Sequence, residues 1–180
     1  MSGEIVEILA VDPGFTQSAA LRFDGVRPLA WEILPNDDLL HKLRAWWPGT
    51  MTAEPPGQHP LRALLVLEQI ESFGMPVGRE VFETVFWAGQ FAEAWPGDWH
   101  LLTRRAVKLH LCRTNTATEA HVRQALLDRF GPGKGRAIGL KVAPGPLYGL
   151  KADAWSALAL AVTAWDQRVT VGAAAATSRG

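Results

Sequence analysis

Three carboxylates in this sequence stand at the ends of apolar stretches. Asp12 closes Ile8-Leu9-Ala10-Val11, Glu68 closes Ala63-Leu64-Leu65-Val66-Leu67, and Asp153 opens the run from Ala154 to Leu160. A carboxylate at the rim of a core has lost part of its hydration and needs a cation or hydrogen-bond donors nearby. Brought together, such groups repel one another and their pKa values rise. Divalent cations with a preference for hard oxygen ligands relieve that conflict. A carboxylate cluster around two Mg²⁺ about 4 Å apart hydrolyses phosphodiesters, one ion activating water and the other stabilising the leaving oxygen. Asp12 alone is ambiguous, because it precedes Pro13-Gly14, and an Asp there also starts a turn by bonding its own backbone.

The elements that must deliver these groups are readable from apolar spacing. Residues 4–11 and 17–23 pattern as a hairpin, Asp24-Gly25 marks a second turn, and Pro28 to Leu34 gives a third strand. Asn36-Asp37-Asp38 starts a helix with Leu39, Leu40, Leu43 and Trp46/Trp47 on its apolar side. Residues 48–60, with four Pro and two Gly, form a loop. Leu61 to Leu67 is a continuous apolar run, the pattern of a strand covered on both faces. A helix over about 78–94 carries Val81, Phe82, Val85, Phe86 and Phe91 as an expected buried stripe. Trp99 to Leu102 reads as a short strand, Arg104 to Cys112 as a helix, and 118–130 as another, capped by Thr116 or Thr118. The Gly- and Pro-rich segment 131–149 reads as a flexible basic loop. The last helix spans Lys151 to Thr170, packing Ala152, Trp155, Leu158, Ala159 and Val162 on the sheet.

The chain has 180 residues, 48% hydrophobic and 20% charged, which fits one soluble domain with a real core. Residues 1–171 are expected to form it, with 172–180 a disordered tail. No apolar run approaches the roughly 20 residues that span a bilayer, and the N-terminus lacks a signal-peptide pattern. The one cysteine, Cys112, has no metal-spaced partner, and His110 and His121 lack ligand spacing and read as surface residues. A cytoplasmic protein is the simplest reading. Net charge is zero but unevenly spread. Residues 1–103 hold 6 Lys/Arg and 14 Asp/Glu, whereas residues 104–151 hold 10 and 2. That basic segment is a candidate phosphate-binding surface, or a solvated helical face.

The blocks Ile-Leu-Ala-Val-Asp12-Pro-Gly, Leu-Val-Leu-Glu68-Gln and Asp153-Ala-Trp-Ser-Ala-Leu-Ala-Leu-Ala-Val resemble the three signature blocks of RuvC-type Holliday-junction resolvases, in the ribonuclease H-like superfamily. They span nearly the whole chain. The Gly-Met-Pro-Val-Gly and Pro-Gly-Pro-Leu-Tyr segments look more like bacteriophage-encoded relatives. The resemblance implies an α/β fold, a five-stranded mixed sheet flanked by helices. It implies a crossover-junction endonuclease that resolves branched DNA in a bacterial or phage-infected cell, in recombination and repair. It also implies two Mg²⁺ ions, for which Mn²⁺ substitutes, and a homodimer, since two strands are cut symmetrically. By the same resemblance Asp12 would bridge both metals, Glu68 would bind one and position the attacking water, and Asp153 would bind the other. Ser156 falls where the family carries a second Asp, which is a departure at the metal site. Glu71 is an accessory candidate. Arg104, Arg105, Lys108, Lys134, Arg136, Lys141 and Lys151 are the candidate DNA contacts, giving affinity without sequence information.

Three other readings compete. Actin-like phosphotransferases also place Asp-x-Gly after a strand, but they clasp nucleotide between two domains, and this length holds one. A ribonuclease H-like nuclease for flap DNA, RNA or an RNA–DNA hybrid would share the carboxylates, because substrate choice lies in loops. A non-catalytic DNA-binding relative would keep the basic segment, with Ser156 a mark of decay.

Overall fold

The computed structural model describes residues 7–45, 63–72, 74 and 76–167. The expectations for residues 4–6, Trp46 and Trp47, the 48–60 loop, Leu61, the end of the last helix and the 172–180 tail lie outside these residues. β1 (Glu7–Asp12), β2 (Gln17–Phe23) and β3 (Pro28–Pro35) form the expected antiparallel meander. α1 (Asn36–Ala45) follows at once. β4 (Ala63–Gln69) then pairs parallel with β1, α2 (Arg79–Ala94) crosses over, and β5 (Trp99–Thr103) pairs parallel with β4. The sheet order is β3-β2-β1-β4-β5. The remainder is helical apart from one small hairpin: α3 (Arg104–Cys112), α4 (Glu119–Phe130), one-turn α5 (Lys134–Ala137), β6 (Gly139–Leu140), β7 (Ala143–Pro144) and α6 (Ala154–Gln167).

Strand alternation divides the core into two layers. Ile8, Ala10, Ala19, Leu21, Phe23, Leu64 and Val66 face α6, α4 and α3. Leu9, Val11, Ala20, Leu65 and Leu67 face α1 and α2. β1 and β4 thus bury both faces, which is why Ile8–Val11 and Ala63–Leu67 are continuously apolar rather than alternating. α6 is buried from Ala154 to Ala164, and its alanines let the helix lie close against β1 and β2. Thr103 and Thr118 cap α3 and α4, Thr118 in a reciprocal capping box with His121.

Three expectations need correction. Phe91 is fully buried, but Phe82, Val85 and Phe86 are 64%, 50% and 60% exposed. α2 carries a second apolar stripe, and that one faces the core: Trp87 stacks on Phe91, and both pack with Trp95 in the α1 layer. At about 100° per residue, Trp87 lies about 140° around the helix from Phe82. Ala152 is exposed rather than packed on the sheet, in a left-handed turn with φ 40° ahead of α6. The 131–149 segment is not an open loop. Gly145 N donates to Ile138 O and Leu147 N to Ala137 O, both at 2.8 Å, over the buried Ala137 and Leu147. Gly145 serves close packing here, since a Cβ on it would lie 2.3 Å from Arg136 O.

Asp166 near the end of α6 ties down both basic helices. It accepts from Arg129 of α4 (2.6 and 2.8 Å) and pairs with His110 of α3 (2.8 Å). Partial burial works to raise the Asp166 carboxyl, but the hydrogen bonds from Arg129 and His110 outweigh it and hold it below the ordinary carboxylate range. A lowered folded-state pKa gives stability that is present above about pH 4 and lost as pH falls through the folded value. Asp166→Ala should therefore cost about 1 kcal/mol at pH 7, the scale of a partly solvated ion pair. In urea titrations its deficit against wild type should shrink below about pH 4; a deficit independent of pH would contradict this assignment.

Candidate metal and nucleic-acid site

β1 and β4 run parallel with Val11 beside Leu67, so Asp12 and Glu68 follow at the carboxyl ends of adjacent strands. Both continue the alternation of Ile8/Ala10 and Leu64/Val66, and so point to the α6 side. The two carboxyl groups lie within hydrogen-bonding reach. Glu68 is 7% exposed and Asp12 half-buried. Burial first, and then the charge and hydrogen bonding of Glu68, push the Asp12 carboxyl up to about 8, with Asp153 adding repulsion and Arg104 opposing it.

The turn after Asp12 is held by a small buried network. Ser18 Oγ accepts from Gly14 N (3.1 Å) and donates to Asn36 Oδ1 (2.7 Å), while Asn36 Nδ2 donates to Gly14 O (2.9 Å). Ser18 and Asn36 are both 2% exposed. A Cβ on Gly14 would stand 2.3 Å from Gln17 O, so only glycine fits. This network fixes the chain directly beyond Asp12. Sequence reading assigned Asn36 only as a helix start; the sign available was Asn following a strand with no intervening loop.

Asp153 stands in the turn before α6, its carbonyl accepting from Ala157 N (3.0 Å). Trp155 Nε1 donates to Leu150 O (3.2 Å) and pins that turn. Asp153 acts on Asp12 electrostatically, yet among the described residues no three His, Cys, Asp or Glu side chains stand close enough to enclose an ion. Ser156, one helical turn on, meets Arg104: Nη1 and Nη2 lie 3.4 and 3.5 Å from its Oγ. The same guanidinium donates from Nη1 to Glu68 Oε2 (2.9 Å) and pairs through Nη2 with Glu119 Oε2 (2.7 Å). Burial opposes its charge, but Glu68, Glu119 and Asp12 outweigh burial and raise its pKa further.

Arg104 is thus part of the carboxylate site itself. Lys108 also reaches Glu119, at 3.4 Å. A cleft of about 270 Å³ opens there, lined by Glu68, Arg104, Lys108, Arg123, Asp153 and Ser156 among others. Arg123 lies over the Trp155 ring at 4.4 Å. Arg105, Lys134, Arg136, Lys141 and Lys151 are exposed, as is Glu71 beyond the end of β4. The basic segment packs on the same face of the sheet as Asp12 and Glu68, through Val107, Val122, Leu126 and Ala137.

A mixed five-stranded sheet of this order with flanking helices defines a ribonuclease H-like α/β fold. Among solved structures it is similar to Thermus thermophilus RuvC, at 18% identity over 92% of this chain and 97% of that one, with a TM-score of 0.55. T. thermophilus RuvC in complex with a Holliday-junction substrate matches at 21% identity over 91% and 95%, again with a TM-score of 0.55. No protein-family model and no curated protein matches the chain by sequence. The likeness establishes the fold.

Because the Asp12 carboxyl is raised in the folded state, its charged form costs stability. The favourable contribution is complete below about pH 4 and is lost as pH rises through about 8. With EDTA present, Asp12→Asn should melt higher than wild type at pH 7. The gap should widen between pH 4 and 8 and level off above. A gap that stays constant or narrows over that range would contradict the carboxylate contact.

Proposed function

We propose that this protein is a divalent-metal-dependent endonuclease acting on branched DNA. One observation carries the reading: Asp12 and Glu68 meet at the ends of the two parallel central strands, beside a face built from the basic helices. Their four oxygens are a hard donor set suited to Mg²⁺ or Mn²⁺, and Asp153, in the turn before α6, would reach such an ion through water. A bound cation would supply an activated water and stabilise charge on the leaving oxygen. The chain's own residues do the rest. The Ser18–Asn36–Gly14 network orients Asp12, Arg104 holds Glu68, and the exposed Arg105, Lys134, Arg136, Lys141 and Lys151 would grip phosphates. Such contacts read backbone position rather than base sequence, which suits a substrate recognised by shape.

The relevant test compares a four-way junction, a flap, plain duplex and an RNA–DNA hybrid, with Mg²⁺ or Mn²⁺. Paired symmetric nicks in the junction are expected. Asp12→Asn should abolish them while leaving junction binding in place. Cleavage of the hybrid or flap alone would keep the carboxylate chemistry and move the substrate. Tight junction binding with no cleavage of any substrate would favour a binding protein.

Symmetric cutting calls for two copies, and α2 offers the surface. Phe82, Val85, Phe86 and Gly89 fall at i, i+3, i+4 and i+7, one continuous stripe. Phe82, Val85 and Phe86 are exposed, and a Cβ on Gly89 would meet no atom within 4 Å. An exposed mid-helix Gly costs about 1 kcal/mol against Ala, and it lets a second backbone approach closely. We assign this stripe to a second copy of the chain. Wild type should sediment as a dimer, and Phe82→Ser/Phe86→Ser as a folded monomer by circular dichroism, its melting temperature independent of concentration where that of wild type rises with it. A monomeric wild type would remove the assignment.

A further inference from the structure

We infer that Arg104 is a built-in cation of the carboxylate site, so that the site takes a single divalent ion, between Asp12 and Glu68. The inference rests on the metal-dependent reading above and departs from a two-ion arrangement. Its basis is where the guanidinium sits. It bridges the end of β4 and the first turn of α6, bonded to Glu68 and within reach of the Ser156 hydroxyl. Glu119 clamps it from the other side. An ion on the Ser156 side would find Glu68 already hydrogen-bonded to a cation, and a neutral hydroxyl one turn along from Asp153.

The charges agree with this. Asp12, Glu68, Glu119 and Asp153 together with Arg104 and Lys108 leave two negative charges, which one divalent ion neutralises and two would overcompensate. A neutral oxygen at 156 also suits a guanidinium, which donates hydrogen bonds, better than a metal ion, which needs electron-rich ligands. Arg104 is a positioning and charge-compensating residue on this account. It holds Glu68 by a hydrogen bond and takes the place of a second ion.

Counting ions on the 180-residue chain tests this without any activity readout. Mn²⁺ titration by calorimetry, with bound Mn²⁺ checked by electron paramagnetic resonance, should give one ion per chain, lost in Asp12→Asn. Arg104→Gln should bind that ion about tenfold more tightly, because a positive charge a few ångströms away has been removed. A purely structural arginine would give weaker binding instead. Arg104→Lys should stay within about threefold of wild type, since it keeps the charge. Ser156→Asp alone should remain at one ion, the guanidinium pairing with the new carboxylate. Arg104→Gln/Ser156→Asp should bind two. Two ions on wild type would overturn the inference and leave the metal-dependent reading standing. No ion on wild type would overturn both. One ion on the double variant, with its fold intact by circular dichroism, would overturn the role of Arg104.

Discussion

Two carboxyl groups in contact at the rim of a core are unfavourable, and much of the surrounding structure acts to hold them there. Hydrophobic burial of β1 and β4 sets the position of the contact, because register and side-chain alternation follow from the two apolar layers. Moving either strand by one residue would turn a carboxylate into the α1–α2 layer and a leucine or valine out of it. The Ser18–Asn36–Gly14 network then prevents the chain from relaxing at the turn that begins with Pro13. Packing of the sheet therefore holds Asp12 beside Glu68, and the cost of the contact appears in the Asp12 carboxyl, raised to about 8.

The arginine in the site follows from the same constraint. Glu68 is nearly enclosed, and a buried carboxylate without a partner is costly. Arg104 begins α3 immediately after β5, which pairs parallel with β4. Its side chain reaches Glu68 because Glu68 pairs with Leu102, two residues before it, across the sheet. Glu119 at the start of α4 supplies a second acceptor, and its charge is favourable at that helix end. The basic segment of the sequence is therefore divided in two. Arg104, Lys108 and Arg129 are engaged with acidic groups of the fold, whereas Arg105, Lys134, Arg136, Lys141 and Lys151 face solvent.

The strands and the carboxylate ends were legible in the sequence for a physical reason. A strand buried on both faces carries a continuous apolar run, so a carboxylate that closes the run stands out, as Asp12 and Glu68 do. α2 was misread because 3.6-residue periodicity identifies an apolar face but not what covers it. That helix has two such faces, and the Trp87–Phe91 face is the one the sheet buries. The compact 131–149 segment was hidden because glycines that permit flexibility and glycines that permit close packing are the same letter. Nothing local marks the Arg104 contacts either, since its partners Glu68 and Ser156 lie 36 and 52 residues away.

Position 156 connects sequence and site most directly. Under the proposed metal-dependent reading, the serine stands where the resemblance implies a second aspartate, as a decayed site or a weakened one would have it. The structure adds the guanidinium, which bonds Glu68 and comes within reach of the Ser156 hydroxyl, so position 156 faces a cation supplied by the fold. An aspartate there would compete with Glu68 for the same donors and draw Arg104 away from the buried carboxylate. Ser156 and Arg104 are in this sense one feature, and neither is interpretable alone. On the single-ion proposal, the pair supplies the net charge that a carboxylate and a second divalent cation would have contributed together.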